Sequence, residues 1–161
     1  MSFSDGVWME VAMDSEESHS AVDRNKTLVR TFIETLLNKQ NSGLIDDLLT
    51  ADFVDHNAPP EQLPGPAGVK RVLERILSVL ADLRVEMEDM IAEGDRVVVR
   101  YRAEARHVGN FMGFPASGKR LKWTTISIYR IENGRIAERW GLMDHADLLR
   151  QFRDLDMKRS V

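Results

Sequence analysis

Residues 96–107 read RVVVRYRAEARH, and their alternation decides the fold. Val97, Val99, Tyr101, Ala103, Ala105 and His107 share one parity, whereas Val98, Arg100, Arg102, Glu104 and Arg106 share the other. Successive side chains of a strand point to opposite faces, so this pattern predicts a half-buried strand with the first set turned inward. Upstream, Gly94-Asp95 is a turn signal, and Val85, Met87 and Ile91 start another period-two run at residue 84. Downstream, a Gly- and Pro-bearing loop, VGNFMGFPASG (108–118), leads to KRLKWTTISIYRI (119–131). Asn133-Gly134 is the strongest short hairpin signal and introduces RIAERWGLMD (135–144). The second half of the chain therefore reads as an antiparallel meander.

Before residue 84 the apolar period is that of a helix. Val29, Phe32, Ile33, Leu36 and Leu37 form one stripe, with Asp23 or Asn25 as cap and residues 38–43 as the stop. A short helix carries Leu44, Ile45, Leu48 and Leu49. After the turn-rich FVDHNAPPEQLPGP (53–66), Pro66 opens a third helix with Val69, Val72, Leu73, Ile76, Leu77 and Leu80 inward. HADLLRQF (145–152) reads as a short closing helix. Three N-terminal helices followed by an antiparallel meander predict an α+β fold, with helices on one face of a curved sheet.

Residues 23–155 are expected to form one domain, with 156–161 as a C-terminal tail. Residues 1–22 carry five acidic side chains and few apolar ones, too little to offset the entropy of ordering them, and are expected to be a mobile arm. Within the arm, Trp8 with Val7, Met9 and Val11 is a small apolar cluster, expected to be mobile or packed across a subunit boundary. Trp123 and Trp140 are expected to be at least largely buried.

Charge and composition exclude several classes of function. Twenty-six acidic against 22 Lys plus Arg residues give a net charge of −4 without long blocks of one sign, which is no footprint for a nucleic-acid backbone. The absence of cysteine removes thiolate nucleophiles, disulfides and Cys-based metal sites, leaving oxygen and imidazole chemistry. No segment reaches the ~18 apolar residues of a membrane span and the N-terminus has no basic start, so a soluble cytoplasmic protein is expected.

Few residues could carry chemistry. Gly113-Phe-Pro-Ala-Ser-Gly118-Lys119 matches a phosphate loop as far as its lysine, but Arg120 stands where Ser or Thr must meet magnesium, and no helix follows. It reads as a connecting loop whose Phe111, Met112 and Phe114 cap something apolar. His107 shares the inward parity; it is either an interior histidine satisfied by backbone or, beside the small Ala103 and Ala105, part of a ligand cavity. Asp144 has the parity of Ile136, Glu138, Trp140 and Leu142 and is either a pocket acid/base or the N-cap of the last helix. His56, in FVDHN, is either a pocket group or one end of a surface pair with Asp55. Together His56, His107 and Asp144 would also make a two-imidazole, one-carboxylate iron(II) set, although their spacing is no metal signature. His145 and His19 have weaker cases.

The segments FVDHN, GPAGVKRVL, ARHVGNFMGFPASGKRLKW and YRIENGRIAERWGLMDHADLLRQF, in this order and spacing, resemble the SnoaL-like polyketide cyclases and related predicted ester cyclases. The resemblance implies a nuclear transport factor 2-like cone enclosing an apolar pocket. It also implies a cofactor-independent intramolecular aldol reaction with Asp144 as acid/base, His107 as its partner and His56 lining the pocket, and no metal. A small apolar carbonyl ligand would then lie among Tyr101, Phe111, Met112, Phe114, Trp123 and Trp140. Relatives associate through the outer sheet face, which implies a homodimer; Thr124, Ile126 and Ile128 lie on one parity there. The competing functions are a non-catalytic binder of an apolar ligand and a hydrolase or dehydratase on the same scaffold.

Overall fold

The computed structural model describes residues 5–58 and 60–157, with side chains described for 19–58 and 60–154. Helix α1 spans Asp5–Ile33, α2 Ile45–Leu48, α3 Gly65–Val79 and α4 His145–Met157. The strands are β1 Leu49–Asp55, β2 Leu80–Glu93, β3 Arg96–His107, β4 Arg120–Glu132 and β5 Arg135–Met143. They form one sheet in the order β1-β5-β4-β3-β2. All pairings are antiparallel except β1 with β5, which is parallel. The fold is therefore α+β, and among the described residues no helix is long and apolar enough to cross a membrane.

The alternation of β3 is realised as read: Val97, Val99, Tyr101, Ala103, Ala105 and His107 are all buried. Its partner β4 buries Leu121, Trp123, Thr125, Ser127, Tyr129 and Ile131 in the same way. The facing helix α1 buries Val29, Phe32 and Ile33 against this surface, and the following π-turn adds Leu36. That turn places Asn38 so that its amide donates to the Val85 carbonyl at 2.9 Å and accepts from the Val85 amide at 2.8 Å. A side chain thus satisfies backbone groups of β2 that no sixth strand pairs. Helix α3 begins where Pro64 and Pro66 fix an extended entrance. It packs so closely on the preceding loop that a Cβ at Gly68 would lie 1.8 Å from the Leu63 carbonyl oxygen. Because α3 touches both edge strands, β1 and β2, the sheet curls round and leaves a hollow between itself and the helices.

Several expectations are corrected. The three N-terminal helices do not run on uninterrupted into the meander, because β1 separates α2 from α3; α4, where HADLLRQF reads as a closing helix, makes four α-helices among the described residues. The first helix starts at Asp5 and not at a cap near Asp23, so much of the expected arm is helical backbone; the side chain of Trp8 lies outside the described residues. Residues 158–161 of the expected tail also lie outside them, whereas Asp156 and Met157 belong to α4.

The correction with the largest consequence concerns β5. Ile131 pairs with Ile136 but Arg130 with Glu138, which leaves Ala137 as an extra residue. Ile136 and Ala137 are both buried, the signature of a bulge. One inserted residue reverses every later side chain. Beyond the bulge Arg139, Gly141 and Met143 therefore face the hollow, while Glu138, Trp140 and Leu142 take the outer face. Trp140 is partly buried on that outer face, with the Arg96 guanidinium 5.2 Å from its ring centre; Trp123 is buried towards the hollow.

Candidate functional site

The hollow is a cavity of about 400 Å³. Most of its wall is apolar: Phe32, Leu36 and Leu37 from α1 and the π-turn, Phe53 from β1, Val69, Val72, Leu73 and Ile76 from α3, Leu83 and Val85 from β2, and Trp123 from β4. Polar groups gather where β1, β4 and β5 meet, namely Asp55, Asn57, Thr125, Tyr129 and Arg139, with Tyr101 of β3 beside them and Gln62 and His145 among the other lining residues. A small apolar cavity with a few convergent polar groups is the usual form of a small-ligand site.

The polar wall is built around Arg139. The parallel pairing of β1 with β5 sets Asp55 opposite Arg139, and Nη1 of Arg139 donates to Asp55 Oδ2 at 2.9 Å. Its Nη2 donates to Ser127 Oγ at 3.2 Å. Asp55 Oδ1 also accepts from the Asn57 amide at 3.0 Å, and the Asn57 side-chain oxygen accepts from the Gly141 amide. The side chains of Asp55 and Arg139 are 16% and 22% exposed, so the pair is largely shielded from water. Burial opposes the charge of Arg139, but the hydrogen-bonded Asp55 carboxylate, joined by the Tyr129 and Tyr101 phenols once they ionise at high pH, outweighs it and holds the guanidinium even more firmly protonated than usual. Burial, reinforced by Tyr101, pushes the Tyr129 hydroxyl up to about 12, against the opposing effects of Arg139 and Ser127. It is thus a neutral hydrogen-bond donor at ordinary pH. The Thr125 hydroxyl is buried and has no hydrogen-bond partner. The site thus offers one carboxylate, one fixed cation and the hydroxyls of Tyr101, Tyr129 and Thr125 to whatever fills the cavity.

The residues singled out from the sequence are distributed differently. Tyr101 and Trp123 line the cavity. Asp144 does not: it is exposed, and its Oδ1 accepts from the Asp147 amide at 2.9 Å, the N-cap of α4, although its neighbours Met143 and His145 are lining residues. His56 lies outside, its ring stacked on Trp140 at 4.4 Å and its Nε2 2.6 Å from Glu138 Oε2; the Asp55 expected beside it is turned to Arg139. His107 is fully buried, as its parity requires, but away from the cavity. Its Nδ1 meets Ser117 Oγ at 3.0 Å, its Nε2 has no partner, and Phe152 and Phe111 pack edge-on at 5.2 and 6.4 Å. It ties down the connecting loop, and that loop's Phe111 and Phe114 cover Phe152, not the cavity, while Met112 is exposed. Trp140 is likewise outside. His56, His107 and Asp144 occupy three separate places, and among the described residues no group of three or more acidic or histidine side chains could hold a metal.

Burial lowers the His107 pKa, against the opposing pull of the Gly109 and Phe114 backbone. The unfolded chain binds that proton more readily, so stability is full above the ordinary value of about 6.5 and falls as the pH drops through it. Thermal melts between pH 7.5 and 5 should show this fall, and His107→Gln, which can still reach Ser117, should flatten it. An unchanged slope in the variant would assign the effect to other groups.

The residues missed in the sequence are Arg139, Asp55, Thr125 and Tyr129. Thr125 and Tyr129 depend only on strand parity, and their signal is present in the alternation of 119–131; Arg139 depends on the bulge and Asp55 on the pairing of β1.

The fold is a curved α+β sheet and helices enclosing a mostly apolar cavity. The chain belongs to the SnoaL-like polyketide cyclase family, whose model matches residues 27–152. It is 32% identical over 137 residues to the aklanonic acid methyl ester cyclase DnrD of Streptomyces peucetius, covering 78% of this chain and 88% of that protein. The cyclase of the same name, DauD, from Streptomyces sp. strain C5 is 28% identical over 135 residues, covering 78% of this chain and 79% of that protein. Among solved structures, TsrD from Streptomyces laurentii superposes with a TM-score of 0.73 at 31% identity, covering 81% of this chain and 95% of that one. The neighbours share the nuclear transport factor 2-like fold, and at the level of the family the function is of the polyketide-cyclase type.

Proposed function

We propose that this chain is a cofactor-independent, cytoplasmic enzyme of the cyclase or isomerase type, acting on a small, largely apolar, polyketide-like carbonyl compound. The observation that carries the reading is the polar wall of Asp55, Arg139, Tyr129 and Thr125 in a mostly apolar cavity of about 400 Å³. The names of the cyclase relatives support the class of reaction. Asp55 removes a proton from the carbon next to a carbonyl, and the charge that develops on the carbonyl oxygen is met by donors from Arg139, Tyr129 and Thr125. The resulting enolate carbon attacks a second carbonyl of the same molecule. The alkoxide so formed takes the proton back from Asp55, so atoms balance and no co-reactant is consumed. The acid–base role that family resemblance implied for Asp144 falls in this reading to Asp55; Asp144 caps α4 and His107 holds its loop.

A panel of β-keto esters and cyclic enones in deuterated water, followed by NMR, tests the reading. Exchange at the α-carbon faster than the buffer rate is the expected result. A compound that binds the cavity without exchange would favour the non-catalytic binder, and a mass change of one water would favour the hydrolase or dehydratase. Asp144→Asn should change the exchange rate by less than about twofold and barely alter stability, since Asn is as good an N-cap as Asp.

The same proposal includes a homodimer through the outer sheet face. There Ile126 and Leu142 are cross-strand partners, 45% and 73% exposed, flanked by Ile128 and Trp140. Alongside them Glu88 pairs with Arg100 and Arg102, a charged border suited to a wet contact. Sedimentation at micromolar concentration should give a dimer for the wild type and a monomer for Leu142→Lys. A wild-type monomer would remove this part of the reading.

A further inference from the structure

We propose that Gly141 is a positioning residue: its missing side chain is the seat of the Arg139 guanidinium, and the pair sets which ligand oxygens the cavity can hold. The inference rests on the reading of Arg139 as a group that touches the ligand. Both residues face the hollow because of the bulge at Ala137, two positions apart on one strand, and both line the cavity. A Cβ built on Gly141 would lie 2.3 Å from Nη2, 2.7 Å from Cζ and 3.1 Å from Nη1 of Arg139. These three nearest atoms all belong to the guanidinium. The arginine has folded back along its own strand into the space that a side chain at 141 would take.

Among the described residues, neither a positive φ nor a close backbone atom among the three nearest asks for glycine here. Glycine in a strand interior loses packing and conformational entropy relative to other residues, and a close approach is a common reason for it. The strand cannot retreat to make room for a Cβ, because the Gly141 amide is held by the Asn57 side chain and the Arg139 carbonyl accepts from the His56 amide at 2.9 Å. A side chain at 141 must therefore move the guanidinium. It then loses Asp55 and Ser127 together, because both bonds are made from the folded-back position. The planar fork of Arg presents fixed N–H donors, so its location decides where a carbonyl or enolate oxygen can be bound. With Arg139 displaced, the cavity keeps its apolar walls and loses its cation, and its preference moves from oxygenated ligands towards hydrocarbons of the same shape.

The test compares wild type, Gly141→Ala, Arg139→Ala and the double variant, with 2-acetyl-1-tetralone and tetralin as the probes, by calorimetry. The quantity read is the ratio of the two affinities. Gly141→Ala is expected to lower the ratio by about tenfold, Arg139→Ala by at least as much, and Gly141→Ala in the Arg139→Ala background by less than about twofold, since positions that act through one group are not additive. An equal effect of Gly141→Ala with and without Arg139 would overturn the proposal, because the glycine would then act through the strand alone. If Arg139→Ala lowers the ratio and Gly141→Ala does not, the seat fails while the reading of Arg139 stands; if Arg139→Ala leaves the ratio unchanged, the functional reading fails first. A ligand-free measurement decides the seat in every case. Nitrogen-15 NMR of the Arg139 guanidinium should resolve separate Nη signals in the wild type, held by Asp55 and Ser127, and one averaged signal in Gly141→Ala. Separate signals in both proteins would overturn the proposal.

Discussion

Asp55→Asn is expected to lower turnover by about 10²–10⁴, the range lost with a positioned general acid or base. The substitution is nearly isosteric. Its amide oxygen can still accept from Arg139 or from the Asn57 amide, so ligand affinity should change by no more than a few-fold. What disappears is the ability to exchange a proton. The variant also leaves Arg139 as a shielded cation without its counter-charge, which breaks a pair whose side chains are 16% and 22% exposed. For a fully buried pair such a break costs about 3–5 kcal/mol, and the residual exposure here brings the expected loss nearer to about 1–3 kcal/mol. Turnover is therefore to be measured at a temperature where chemical denaturation shows the variant fully folded. A kcat within twofold of wild type under those conditions would remove Asp55 from the chemistry.

The second large effect is expected of Arg139→Met, which keeps an unbranched stem of similar reach and removes the cation. Loss of a donor that meets developing negative charge costs about 10²–10³ in kcat. Here the loss should fall on kcat and on the affinity for oxygenated ligands together, because the same guanidinium meets the carbonyl before and after the charge develops. The carboxylate of Asp55 is left facing an apolar cavity without its partner. Stability should therefore drop by an amount comparable to that in Asp55→Asn, and the double variant Asp55→Asn/Arg139→Met should be less destabilised than the sum of the two, since neither buried charge then remains unpaired. Strict additivity in denaturant titrations would mean that the 2.9 Å pair contributes nothing as a pair.

The fold was legible where a strand has two unlike faces. In 96–107 the inward set is mostly apolar and the outward set mostly charged, so a shift by one residue would bury five charged side chains, and only one register is tolerable. The same holds for the stripe of α1 from Val29 to Leu36. β1 was not legible because its pattern, LTADFVD, is short and irregular, buried only at Leu49 and Phe53, and its pairing partner β5 lies some 80 residues away along the chain.

One inserted residue hid part of the candidate site, with several consequences. In RIAERWGLMD nothing distinguishes a regular strand from one with a bulge at Ala137, since Ile136 and Ala137 are both at home in a core. Regular alternation sends Trp140 and Asp144 inward and Arg139 outward; the bulge sends Arg139 and Gly141 inward and leaves Trp140 outside. Asp144 shows a different degeneracy. A carboxylate at the junction of a strand and a helix satisfies the sequence requirements of an N-cap and of a pocket base equally well, and the hydrogen bond from the Asp147 amide selects the cap. The burial of His107 was legible, but its partner, Ser117, depends on how the intervening loop folds back.

The measurement that bears most directly on where the chemistry resides is the rate of α-proton exchange in deuterated water, for the carbonyl compound that the wild type exchanges fastest, compared among wild type, Asp55→Asn and Asp144→Asn. We expect exchange in Asp55→Asn to fall by about 10² or more, while Asp144→Asn stays within about twofold of wild type. Exchange retained in Asp55→Asn and lost in Asp144→Asn would show that the acid/base is the carboxylate at the start of α4, and that the Asp55–Arg139 wall only shapes the cavity.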